Sequence, residues 1–218
     1  MTEQVTIKPR RGCLFYGCLT GIVCLLAVLI AGLLGIHEFR RMLNKYTDNQ
    51  PVPLPEVSIP PAALDVLLRR VEDFRDDLKA GRTPPPLIVS ADEVNALIAH
   101  DPELKQLRGK LYVQLEGDRL KAQVSLPMED VGLPRFRGRY LNGTTSLGIA
   151  LHNGILYVYA QDFVVKGRAV PSAYLNVIRR QNLADRANEN ARASVALNLL
   201  QSIEVKNRQL IVTPKNNQ

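Results

Sequence analysis

Cysteine is scarce in this 218-residue chain: the three that occur, Cys13, Cys18 and Cys24, lie in or beside one apolar run near the N-terminus. No disulfide can therefore staple the remainder, which must fold around a hydrophobic core; with 46% hydrophobic residues it has the means. None of the three follows the apolar run as a lipoprotein cleavage signal requires, and thiols inside lipid mostly act as small packing groups. Histidine is equally sparse. His37, His100 and His152 stand on unrelated segments without HExxH spacing or cysteine partners, so no metal site is expected. His100 falls at a helix end and His152 in a hairpin turn, both structural positions.

Motifs for catalysis and cofactors are missing too. No serine sits in GxSxG. The stretch Asn142-Gly143-Thr144-Thr145-Ser146-Leu147-Gly148 lacks the lysine of a phosphate loop and reads as strand and turn. The acidic doublets Asp76-Asp77, Asp92-Glu93 and Glu129-Asp130 are neighbours that do not share a helix face, so they read as solvated, the middle one favoured by a helix dipole. No cofactor is expected.

Charge is absent over one long stretch: no Asp, Glu, Lys or Arg occurs between Arg11 and Glu38. About 20 apolar helical residues cross a hydrocarbon core about 30 Å thick, so this run is long enough to span. A cleaved signal peptide has an apolar region of only about 7 to 15 residues, and Ala31-Gly32-Leu33-Leu34-Gly35 makes a poor cleavage site, so an uncleaved signal-anchor is expected. Lys8, Arg10 and Arg11 before the run tie with Arg40, Arg41 and Lys45 after it under the positive-inside rule. The short basic head favours a cytoplasmic N-terminus and an extracytoplasmic C-terminal domain. Within the run, Gly17, Gly21, Cys24, Val28, Ala31 and Gly35 recur at alternating steps of four and three, a small-residue stripe that suits a homodimer, although glycine and alanine are common in membrane helices generally.

The net charge is +7, of which Lys8, Arg10 and Arg11 against Glu3 belong to the head, leaving a diffuse +5 on the rest. Such an excess favours anionic lipid headgroups or wall polymers but lacks the clustering that nucleic acid demands.

Patterning divides the chain into a basic tail (1–11), a transmembrane helix (12–37), a juxtamembrane helix with a proline-rich tether (38–61), an amphipathic helix with a proline linker (62–86) and an α+β soluble domain (87–218). Pro51, Pro53, Pro55, Pro60 and Pro61 make the tether an extended spacer. Leu64, Leu67, Leu68, Val71, Phe74 and Leu78 recur at helical spacing up to Gly81, and their stripe must bury against the main domain or a partner helix. Ser90 followed by Glu93 marks a helix start. Hairpins are expected around Gly117-Asp118, Asn153-Gly154 and Asn207-Arg208, with a helical region from Pro171 to about Gln201 broken near Asn182 to Asp185. Together these predict an antiparallel sheet of about five to seven strands with packed helices, one face solvated or lining a groove and the other covered.

Arg135, Arg137 and Arg139 would share one face if their segment is extended, and Lys166 and Arg168 would approach if the following strand pairs nearby. The cluster reads as a charged guard on a strand edge or as a site for lipid phosphate or an anionic wall polymer. Ser90-Ala91-Asp92-Glu93-Val94-Asn95-Ala96-Leu97-Ile98, the hairpin meander, the Gly154-to-Val158 strand and the Val170-Pro171 step resemble the YpmS-like family of membrane-anchored bacterial proteins of unknown function. The resemblance implies a tethered extracytoplasmic domain without an assigned activity. The function expected is binding of a partner protein or anionic envelope component at the membrane surface. Alternatives are a lipid carrier with an apolar groove and an envelope hydrolase or transferase whose active site is assembled only by folding.

Overall fold

The computed structural model describes residues 13–130 and 136–216. It divides the chain into two compact units, Met1–Lys45 and Tyr46–Gln218. Helix α1 (Cys13–Tyr46) is long and apolar enough to cross a membrane, and it continues through the basic residues after the apolar run as the sequence suggests. Large side chains such as Val28 and Leu33 have about two thirds of their surface uncovered by protein. Burial of that surface in hydrocarbon is the driving force such a helix is built to use.

The second unit is α+β. Helix α2 (Pro61–Lys79) opens with proline at its first position, where the missing N–H costs nothing. Its stripe Leu67, Val71, Phe74 and Leu78 is buried, so the amphipathic helix docks on the domain. Ion pairs fix it: Arg70 to Glu93 at 2.7 Å, and Arg75 to Asp101 at 2.8 Å and to Glu103 at 3.3 Å. Strand β1 (Leu87–Val89) leads into helix α3 (Ala91–His100), capped as expected: the Glu93 N–H donates to Ser90 Oγ (3.2 Å) and the Ser90 N–H to Glu93 Oε2 (2.8 Å). A 3-10 turn, Pro102–Leu107, follows.

Strands β2 (Leu111–Glu116), β3 (Arg119–Pro127), β4 (Tyr140–His152), β5 (Ile155–Ala160), β6 (Val164–Val165) and β7 (Arg168–Ala169) form one antiparallel sheet, ordered β2-β3-β4-β6-β7 with β5 also on β4. Helices α4 (Ser172–Arg179), α5 (Asp185–Glu189) and α6 (Ala191–Asn198) then lead to the closing hairpin β8 (Leu200–Lys206) and β9 (Gln209–Pro214). The strands divide into two sheets rather than one, because β1 pairs with β9 to make a second sheet, β1-β9-β8. The hairpin tips meet: the Arg208 N–H donates to the Gly117 carbonyl (2.8 Å) and the Asn207 N–H to Asp118 Oδ1 (2.9 Å). The Asn207-Arg208 tip takes positive φ at both residues, the geometry of a tight hairpin turn.

Residues directly opposite in an antiparallel pair share a face. The pairs Val113–Ala122, Leu115–Leu120, Leu120–Leu147 and Leu151–Leu156 therefore put one continuous apolar face inward. There it meets Ile98, Val205 and Leu210 from α3 and the smaller sheet, and Leu197 and Leu200 near α6. The pairs Lys121–Ser146, Gly148–Tyr159, Ala150–Tyr157 and His152–Ile155 face the other way.

Three local expectations change. The stretch Asn142 to Gly148 contains no turn; it lies wholly within β4. Its glycines mark close approaches instead: a Cβ on Gly143 would overlap the Val164 carbonyl oxygen, and one on Gly148 would overlap the Tyr159 ring. The Arg137–Arg139 segment is not extended, because Gly138 takes φ +80° and the Arg139 N–H closes a turn onto the Phe136 carbonyl (3.1 Å). The compact unit also starts at Tyr46, well before Leu87, so the proline-rich segment is part of it.

Candidate functional site

Two strand edges of the larger sheet are closed by asparagine side chains. A primary amide carries a donor and an acceptor side by side, so it can pair with a strand residue much as a neighbouring backbone would. On β2, Asn95 of α3 accepts from the Val113 N–H (2.7 Å) and donates to the Val113 carbonyl (2.8 Å), with Asn95 only 2% exposed. On β5, Asn188 accepts from the Leu156 N–H (3.0 Å) and donates to the Leu156 carbonyl (2.8 Å). Asn182 accepts from the Val158 N–H (2.9 Å) and also donates to the Leu156 carbonyl (2.9 Å). Exposed strand edges invite unwanted pairing, and these amides occupy them.

The outer face is crossed at one end by the chain's own strap, Thr47 to Val52. Asp48 forms a two-way backbone bridge with Tyr140, at 2.9 and 2.8 Å. Its carboxylate takes Lys166 Nζ at 2.6 Å and Asn142 Nδ2 at 3.1 Å. Asn142 Nδ2 also donates to the Gln50 carbonyl (2.9 Å), the Val52 N–H to Ser125 Oγ (3.1 Å), and Ser125 Oγ to Asn142 Oδ1 (2.8 Å). Arg139 spans the strap, with Nε on Thr47 Oγ1 (2.6 Å) and Nη1 on Asn49 Oδ1 (3.0 Å). Thr47, Ser125 and Asn142 are all buried beneath this network. The tether is thus not a free spacer: its first residues are pinned to the sheet, and Val57 and Ile59 further on pack against the Leu67 cluster.

This arrangement relocates the basic cluster. Arg139 and Lys166 hold the strap; Arg137 is exposed in its turn, Arg168 is exposed on β7, and Arg135 lies outside the described residues. Arg139 and Lys166 meet on the strap around the Asp48 carboxylate, not through an extended arginine strand. Of the small-residue stripe, Gly17 and Gly21 lie in α1, while Cys24, Val28, Ala31 and Gly35 are exposed along it. Among the described residues no three His, Cys, Asp or Glu side chains gather as metal ligands would. Among the acidic doublets, Asp76 pairs with Lys79, Asp77 with Arg82, Asp130 with Lys110 and Glu93 with Arg70, while Glu129 Oε2 is buried without a hydrogen-bond partner among the described residues.

Burial alone pushes the Asp48 carboxyl up, but the hydrogen bonds from Lys166 and Asn142 and the charges of Lys166 and Arg139 outweigh it, and the net shift is down. A carboxyl held low contributes stability that is complete above its ordinary value of 3.8 and is lost as pH falls through the lowered one. Lys166 is half exposed, so the effect is local rather than global. The protection of the Asp48 and Tyr140 amides against hydrogen exchange should therefore hold down to about pH 4 and fall below it relative to β3. In Asp48→Asn that step should vanish; an unchanged step would assign it to another group.

Away from the strap the outer face is open. Ile155, Tyr157 and Tyr159 stand in a row on β5, each 40–44% exposed, with the Tyr159 ring lying across Gly148. Arg119 and Lys121 on β3 add positive charge to the same face, Lys121 paired with Glu116 at 2.6 Å. The asparagine caps and this row escaped the sequence reading. A usable signal for the first was an asparagine, a poor helix former, in the middle of α3.

Compared with known proteins, the chain matches no family model, no curated protein and no solved structure.

Proposed function

We propose that this is a membrane-anchored, extracytoplasmic, non-enzymatic protein that binds a partner protein or an anionic envelope component at the membrane surface, using the open outer face of the larger sheet. The row Ile155, Tyr157 and Tyr159 carries the proposal: the two tyrosine rings, left in solvent beside an isoleucine on a strand whose other face is core, are of the type that dominates binding energies at interfaces. Across β4, Arg119 and the Lys121–Glu116 ion pair on the same face border the row with charges of both signs. The two carboxyl groups held low, Asp48 and Glu93, are both engaged structurally, one in the strap and one in the α3 cap.

Full-length protein purified in mild detergent should retain its ligand, identified by mass spectrometry of bound proteins and polymers. Tyr157→Ala with Tyr159→Ala should lose at least about tenfold of it, since each aromatic anchor carries on the order of 1–2 kcal/mol. Equal recovery from both proteins removes this face from the reading. A reporter fused after Gln218 should be inactive if it works only in the cytoplasm; activity there would reverse the topology.

A further inference from the structure

Edge strand β1 is treated differently from β2 and β5. It pairs on one side with β9, and its other edge takes no backbone or side-chain partner among the described residues. A groove of about 560 Å³ runs between the Pro84–Ile88 segment and the flank of α2. Val66 from the helix and Ile88 from the strand line it and are 58% and 44% exposed. Arg69 and Asp73, one helical turn apart and exposed, also line it and enter no ion pair among the described residues. The prolines ahead of β1 offer no N–H and cannot fold back to pair with it, so the approach to the strand stays extended.

We propose that this groove binds an extended peptide segment of a partner protein, which adds as a further strand to the β1-β9-β8 sheet. In a strand, successive residues turn their N–H and C=O groups to opposite edges, so the free edge of β1 offers those of alternate residues, and another backbone is what matches them; side-chain recognition then comes from the groove beside it. One apolar side chain of the peptide packs between Val66 and Ile88, and charges of both signs meet Asp73 and Arg69. That mixed polarity suits a peptide rather than an anionic lipid surface. A folded second copy fits poorly, because it presents its own β1 only together with the α2 flank that stands beside that edge. The site lies apart from the tyrosine row and does not depend on it.

The test uses full-length protein in nanodiscs and a phage-displayed library of random ten-residue peptides. Recovered peptides are synthesised with free amides and again with alternate amides N-methylated. Free-amide peptides should bind, slow the hydrogen exchange of the β1 amides that point away from β9, and weaken at least about tenfold, roughly 1.4 kcal/mol, on N-methylation or with Val66→Asp. Val195→Asp, at an exposed position of α6 outside both sites, should leave their binding unchanged. Recovery of no binders, equal binding by N-methylated peptides, equal binding to Val66→Asp, or protection of Leu87 to Val89 through self-association instead would each overturn the proposal.

Discussion

Replacing Asn95 by alanine should destabilise the protein by about 2–4 kcal/mol, because two buried backbone groups lose their partners at once. Each buried donor or acceptor left unpaired costs on the order of 1–3 kcal/mol, more than the bond itself contributes. Both groups belong to Val113, which is 4% exposed and has little access to replacement water. Urea unfolding of the full-length protein in detergent, followed by far-UV circular dichroism, measures the loss. A change below about 0.5 kcal/mol would show that the amide is dispensable. Asn95→Asp separates shape from chemistry: it keeps an acceptor for the Val113 N–H but turns lone pairs toward the Val113 carbonyl. It should therefore be destabilised at neutral pH and recover part of the loss on acidification, when the carboxyl can donate.

The second large effect belongs to Gly143→Ala. The new Cβ would overlap the Val164 carbonyl oxygen and approach Phe163 Cε1 within 2.9 Å. A backbone oxygen cannot rotate aside as a side chain can, so β6 would have to move off β4, where Val164 pairs with Thr144. Phe163 and Val165, both in the main core cluster, would move with it. The expected cost is about 2–3 kcal/mol, at the upper end for overpacking. Gly148→Ala provides the contrast, since the obstacle there is the far end of the Tyr159 side chain, whose Oη would lie 2.6 Å from the new Cβ and which can swing into solvent. It should cost less. If the two substitutions prove equally mild, the close approach of β6 to β4 is not rigid.

The parts of this fold legible in the sequence are those decided within a few residues. The apolar run, the α2 stripe, the Ser90–Glu93 cap and the Asn153-Gly154 turn all follow from short-range physics, and the structure shows each one. What escaped depends on partners brought together from afar. Asn95 reads as a weak helix residue until Val113 is placed beside it, 18 positions away. Gly143 reads as a turn residue until β6 arrives. The basic cluster was half legible: Arg139 and Lys166 do converge, yet their counter-ion, Asp48, comes from a segment whose prolines suggested only a spacer. The division into two sheets was hidden for the same reason, because three residues of β1 pair with a strand more than a hundred positions later.

The strap bears on what the proline-rich stretch can do. A proline-rich stretch would ordinarily set the length of the leash, but here its beginning is fastened to the sheet it was meant to hold at a distance. The residues just before it, His37 to Lys45, belong to α1, so they form a helical stalk about 13 Å long rather than slack chain. Lengthening the prolines would then add loop between the fastened strap and α2, and would leave the strap's bonds to the sheet as they are.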